Sequence, residues 1–261
     1  MKTIYVVIRI PKSGSQSLSK MVKQSLPESR KFGIPPLDRE SDTKKGIIEF
    51  LRHQCMTYKS MYKKYGALGE QAMWEHIDKV SQNGDIITGH IRYARPKMQN
   101  SELKYITLLR DPIERIISSY WYARQSYNQR SFLRKLYVKE DIIAAATLSL
   151  SDYFHHLADQ GERYTNPITR YVTGVTSHQD PFSFLIENYF HFGILEEIEL
   201  FSKQFSKKMN IQSEPVWPNK TKVKEPFKLT RSDNQILEKL FGIDIELYHQ
   251  TATYLRRTSA C

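Results

Sequence analysis

Cysteine is almost missing: Cys55 and Cys261 are the only two in 261 residues. That excludes a disulfide framework, and nothing around Cys55 marks it as a nucleophile, so a spare thiol is its expected role. No run of ~20 apolar residues is present to cross a bilayer. No basic-then-apolar leader precedes the first strand, so a soluble, cytoplasmic protein is expected. Linkers, low-complexity tracts and internal repeats are also lacking, which argues for one domain over 1–261. No His/Cys/Asp grouping has metal-ligand spacing, so no metal is expected. Lysine and arginine form no long block, which speaks against a nucleic-acid arm and a nucleic-acid partner.

What is present is ordinary for a folded chain: 40% hydrophobic and 26% charged residues. The net charge of +11 favours anionic partners, although a merely soluble basic surface accounts for many individual lysines. The most informative stretch is the first, Thr-Ile-Tyr-Val-Val-Ile-Arg-Ile-Pro-Lys-Ser-Gly-Ser-Gln-Ser from Thr3 to Ser17. Its β-branched run fits a buried parallel strand. Small residues around Lys12 follow, then Leu18, Met21, Val22 and Leu26 at helical spacing, closed by Pro27. Small residues let backbone N–H groups approach an anion, the helix start adds partial positive charge, and the lysine adds a full one. The bland alternative is a plain strand–helix turn.

Residues 28–45 read as a polar surface loop with Arg30, Lys31 and Arg39, and 46–82 as mainly helical. Asp85-Ile-Ile-Thr88 predicts a short strand ending in Gly89-His90, where ligands bind in open α/β sheets. Tyr105–Leu109 predicts the clearest central strand. It runs into Arg110, with Asp111 as N-cap, Pro112 at the first helical position and Glu114 placed for a capping box. Ile113, Ile116, Ile117, Tyr120 and Trp121 make that helix's buried stripe, with Ser118 off it. Residues 131–185 read as helical and irregular, broken at Asn166-Pro167 and ended at Gly174. The neighbours His155 and His156 point apart, as structural or surface residues. A strand over Tyr189–Leu195, a helix over Glu196–Met209, a basic loop at Trp217–Lys222 and helices over Ser232–Leu240 and Ile243–Leu255 complete the chain. Strands alternating with helices imply an α/β fold with a mainly parallel sheet, carrying helical insertions at about 40–82 and 131–185.

The first loop is not an ATP-type P-loop: Lys12 comes early and no Gly-Lys-Ser/Thr follows. Together, three segments are more specific. Pro11-Lys12-Ser13-Gly14-Ser15-Gln16-Ser17 resembles the 5′-phosphosulfate loop of sulfotransferases. Arg110-Asp-Pro-Ile-Glu-Arg-Ile-Ile-Ser118 resembles their 3′-phosphate motif. Thr88-Gly89-His90 resembles the His-Gly-His segment of the heparan sulfate and uronyl 2-O-sulfotransferases, and Asn166–Gly174 is similar to a segment of bacterial carbohydrate sulfotransferases. The likeness is good from residue 3 to about 125 and weaker beyond.

The resemblance implies a three-layer, P-loop-NTPase-like fold and the donor 3′-phosphoadenosine 5′-phosphosulfate (PAPS), with its bisphosphate (PAP) as product. It implies that Lys12, Ser13, Gly14, Ser15, Gln16 and Ser17 hold the 5′-phosphate, and that Arg110 and Ser118 hold the 3′-phosphate. Lys220 and Thr221 fall where the family's late cofactor loop lies. His90 would act as base and Lys12 would stabilise the leaving group, with no metal required. Trp217 is either an adenine-stacking ring or a buried tryptophan. His90 itself is either the base or a strand-end cap. Thr88 stands where the family has its first histidine, and Gly14 where it has a side chain. Arg92, Tyr93, Arg95 and Tyr120 flank the motifs, as acceptor contacts or as framework.

An enzyme acting on a carbohydrate hydroxyl is the leading expectation, with phenols, lipids, small metabolites and peptide tyrosines open as acceptors. A P-loop nucleotide kinase is the alternative enzyme, disfavoured by the loop spacing and by the lack of a clear magnesium-holding acidic strand end. A nucleotide- or polyanion-binding module without catalysis is the alternative from another class.

Overall fold

The computed structural model describes residues 1–34, 69–131, 135, 138–211 and 227–259. Among these residues, five strands form the sheet: β1 (Lys2–Ile8), β2 (Lys31–Ile34), β3 (Ile86–Gly89), β4 (Ser101–Leu109) and β5 (Tyr189–Ile194). Their order is β2-β3-β1-β4-β5 and every pair is parallel. From β1 the chain goes to β2 and β3 on one side, then to β4 and β5 on the other. The sheet's topological switch therefore lies around β1, and the crevice outside the carboxyl ends of β3, β1 and β4 is where such sheets bind ligands.

The helices are α1 (Ser15–Ser25), α2 (Gly69–Val80), α3 (Pro112–Asn128), α4 (Glu140–Thr147), α5 (Leu150–Asp159), α6 (Pro167–Thr173), α7 (Pro181–Asn188), α8 (Ile198–Met209) and α9 (Arg231–Ser259). Side chains alternate across β1 because successive residues of a strand point to opposite faces. Ile4, Val6 and Ile8 pack with Trp74 and Ile77 of α2, Ile168 and Val172 of α6, and Leu247 of α9. Val7 faces Leu18, Met21 and Val22 of α1 and Phe201 and Phe205 of α8. Helices thus cover both faces, which is why β1 reads as one continuous apolar run. Burying each such side chain contributes roughly 1.5–3 kcal/mol. A second apolar cluster joins α3, α4, α5 and the first half of α9 through Ile116, Tyr120, Ala145, Phe154, Leu157, Leu237 and Phe241.

One segment departs from the sequence expectation, through a contact distant in sequence. Lys31–Ile34 is an edge strand, paired with β3 from Lys31↔Ile86 to Ile34↔Gly89, not part of a loop. The mainly parallel sheet expected from the sequence is found, and among the described residues every strand pair in it is parallel. The two expected C-terminal helices are present as the two halves of α9, which meet at the non-helical Phe241 (φ −130°). The expected break survives as a kink there, next to Gly242. Among the described residues, no helix is long and apolar enough to cross a membrane.

Candidate functional site

The carboxyl ends of three adjacent strands carry the three motifs. Ile8 is level with Gly89 of β3 and with Thr107 of β4. Arg9 N–H donates to the Gly89 oxygen at 2.8 Å, so Arg9 and His90 leave the sheet side by side. Arg110 leaves β4 just beyond.

The β1–α1 loop turns through two left-handed residues, Lys12 (φ 66°) and Gly14 (φ 67°). Gly14 is the N-cap of α1, so no side chain caps that helix, and its first turn holds no acidic residue. Leu18 N–H closes the first turn onto the Gly14 oxygen at 3.0 Å. Helix geometry leaves the N–H groups ahead of it without intrahelical acceptors. Ser13 is only 1% exposed, and its hydroxyl has no hydrogen-bond partner among the described residues. A Cβ on Gly14 would lie 2.5 Å from Leu195 Cδ1 and 3.3 Å from Leu108 Cδ2. The loop therefore presses against the start of the β5–α8 connection. Its uncapped donors and orphaned hydroxyl suit an anion.

At the next strand end, Asp111 caps α3 by accepting from Glu114 N–H at 2.9 Å. The capping box expected there is completed differently. Asp111 N–H donates to Glu196 at 3.3 Å, while the Glu114 carboxylate meets Arg110 at 3.4 Å. Glu196 comes from the connection after β5 and is half-buried, and burial pushes its carboxyl above the ordinary value. Arg110 Nη1 also donates to the Lys12 main-chain oxygen at 3.0 Å, which ties the second motif to the first loop. Ser118 lies two turns into α3 and is 3% exposed.

The third segment supplies the histidine. Thr88 is buried, and its hydroxyl shares a 3.0 Å hydrogen bond with Ser19 of α1. The residue standing where the resembling family has its first histidine therefore ties β3 to α1. His90 Nδ1 is 2.5 Å from the Arg9 main-chain oxygen. Burial pushes the imidazole below its ordinary value, against the favourable bond to that oxygen, and the Arg9 charge adds to the depression. The Lys12 ammonium is likewise pushed down, first by burial and then by Arg110.

A family model described as the sulfotransferase domain matches residues 3–217. The chain belongs to the sulfotransferase family. No curated protein matches it significantly.

In this sulfotransferase, the flanking candidates are held mainly by the framework. The Tyr93 hydroxyl donates to Asn188 at 3.2 Å, and Arg95 bonds both Tyr93 (3.0 Å) and Asn188. Tyr120 is 3% exposed, donates to the Leu148 oxygen at 2.9 Å and accepts from Arg124 at 2.8 Å. Arg92 is half-buried, two residues past His90. The Asn166–Gly174 segment forms α6, which supports the chain leaving His90: Tyr93 N–H donates to the Tyr171 oxygen at 2.9 Å. A Cβ on Gly174 (φ 87°) would lie 2.9 Å from the Tyr93 oxygen. Buried Asp244 of α9 caps α6, accepting from Ile168 and Thr169 N–H at 2.9 and 2.7 Å. Trp217, Lys220 and Thr221 lie outside the described residues. Among the described residues, no three His, Cys, Asp or Glu side chains are grouped to hold a metal ion.

Two residues escaped the sequence reading. Arg9 looked like part of a strand, yet its main-chain oxygen meets His90, its charge acts on that imidazole, and its buried Nε has no partner among the described residues. An arginine in an otherwise apolar strand is the signal that could have found it. Tyr122 of α3 meets the Lys12 ammonium, 4.0 Å from the ring centroid. No motif marked it.

Proposed function

We propose that this sulfotransferase transfers a sulfuryl group from PAPS to a hydroxyl of a carbohydrate acceptor. The observation that carries the reading is the Arg110–Lys12 link. It holds two cationic strand ends together as one clamp suited to a nucleotide with two separate phosphates. The uncapped α1 start and the orphaned Ser13 hydroxyl fit a 5′-phosphate cradled by Ser13, Gly14, Ser15, Gln16 and Ser17. Arg110 and Ser118 would bind the 3′-phosphate, the guanidinium through charge-assisted bonds. Lys220 and Thr221 enter the proposal through the family resemblance alone.

When bound, the donor supplies the sulfuryl group as a phosphosulfate anhydride. The chain's own residues then do three things. His90 takes the acceptor proton at Nε2, because Nδ1 is committed to the Arg9 oxygen. Lys12 neutralises the charge that grows on the leaving phosphate oxygen as its bond to sulfur breaks. The loop and Arg110 hold the reacting groups in line. The scheme calls on no metal. Arg9 adds a cation near the base whose buried Nε has no partner among the described residues, which favours an acceptor carrying acidic groups. A glycan acceptor is also supported by the likeness of Thr88-Gly89-His90 to the 2-O-sulfotransferase segment.

Calorimetric titration tests the clamp. PAP should bind the protein far more tightly than ADP, which lacks the 3′-phosphate. Arg110→Met should cost about 10- to 100-fold in PAP affinity, the range expected for a lost hydrogen bond to a charged group. Equal affinity for PAP and ADP would point to a kinase-like site instead.

A further inference from the structure

Lys12 is gripped at both ends from the side of α3. Arg110 holds its main-chain oxygen at 3.0 Å, and the Tyr122 ring lies under its ammonium at 4.0 Å. Glu114, Ser118 and Tyr122 follow Arg110 at four-residue steps, so they run along one face of the helix. The ring is the far end of the stripe that begins at Arg110. Among the described residues no carboxylate pairs with Lys12. Among the described residues, the aromatic face is therefore the partner that its charge has.

We propose that Tyr122 is a positioning residue for Lys12, whose ring holds the ammonium over the α3 stripe until an anion in the β1–α1 loop draws it away. The proposal rests on the assignment of Lys12 to the leaving group. A ring face attracts a cation through its quadrupole, weakly where solvent reaches the pair. Tyr122 is 58% exposed, so the contact is of the modest kind that can be exchanged. A phosphate oxygen offers a charge-assisted hydrogen bond, which is stronger than a ring face. Lys12 needs such guidance because its backbone is left-handed and its stem is flexible. Burial and the Arg110 charge both disfavour its ammonium, and the ring opposes them.

The test measures lysine acylation by mass spectrometry on the intact, nucleotide-free protein. Only the neutral amine reacts, and exposed Lys20 of α1 serves as internal standard. Tyr122→Leu should raise the Lys12 rate about twofold to fivefold relative to Lys20, the range expected for a solvent-exposed cation–π contact. Tyr122→Phe, which keeps the ring, should label like the parent. A Lys12 rate unchanged in Tyr122→Leu, or raised equally in Tyr122→Phe, overturns the proposal. A second arm titrates PAP into the same variants in Lys12 and Lys12→Ala backgrounds. Tyr122→Leu should change affinity only where Lys12 is present, and an equal change in both backgrounds also overturns it. Failure of the functional reading would show separately, as no PAP binding in the parent, and the labelling ratio would then decide alone.

Discussion

The main-chain oxygen of Arg9 accepts the Nδ1 hydrogen of His90 at 2.5 Å. A carbonyl can only accept, so the bond selects the tautomer that leaves Nε2 with its lone pair. Burial, reinforced by the Arg9 charge, lowers the imidazole pKa. A base acts when deprotonated, and lowering its pKa keeps it deprotonated at lower pH. The expected kcat/KM therefore rises with pH through an ionisation below the ordinary 6.5 and is level at neutrality. A rising limb centred above 7 would remove His90 from the role of base.

Gly14 is placed by its backbone more than by space. Leu195 can swing its tip away from an added Cβ, but φ 67° strains any side chain. Gly14→Ala should lower stability by about 1–3 kcal/mol. A thermal melt checks this, at about 2–4 °C for each kcal/mol in a chain of this size class. No change in Tm would mean that the loop adopts another conformation.

Thr88 and Ser19 satisfy each other inside the sheet–helix interface. Thr88→Val keeps the shape and strands the Ser19 hydroxyl, which should cost about 1–2 kcal/mol. The double variant Thr88→Val/Ser19→Ala removes both polar groups and should recover part of that loss. Denaturant unfolding of both variants measures it. Equal or additive losses would show that the hydroxyls do not depend on each other.

His191 on β5 is buried against Phe201 and Phe205, and its Nε2 lies 3.0 Å from the Phe201 oxygen. Burial pushes its pKa down from 6.5 to about 4. The unfolded chain therefore takes up this proton first. The stabilisation is complete above 6.5 and is lost as pH falls towards 4, reaching about 3 kcal/mol. Urea unfolding across that window should show this slope, and His191→Phe should flatten it. An unchanged slope in the variant would assign the acid sensitivity to other groups.

Much of this was legible because local signals agreed. The continuous apolar run of β1, the small-residue loop and the amphipathic α1 each demand the next. Asp111-Pro112 writes the start of α3 before any tertiary contact is made. Other features depend on contacts distant in sequence. Lys31-Phe32-Gly33-Ile34 is too short and polar to announce a strand, and it becomes one by pairing with β3. Glu196 reaches Asp111 across 85 positions, which no local capping pattern encodes. The Phe241 kink was legible as a helix break, but the packing that carries α9 through it was not. Tyr122 was invisible because a cation–π contact between residues 110 positions apart leaves no periodic trace. The roles proposed for Lys12, His90, Arg110 and Ser118 rest on the family resemblance of three motifs. The structure adds that Arg110 reaches Lys12 and that His90 is oriented by Arg9.

The most direct measurement is transfer of radiolabelled sulfuryl from PAPS to a panel of acidic and neutral glycans and phenols, by the parent protein and by His90→Asn. The parent should label a glycan hydroxyl, and His90→Asn should retain PAP binding while transfer falls about 10²- to 10⁴-fold, the range for a lost general base. Labelling of phenols alone would contradict the carbohydrate assignment. Undiminished transfer by His90→Asn would contradict the mechanism built on the Arg9–His90 pair.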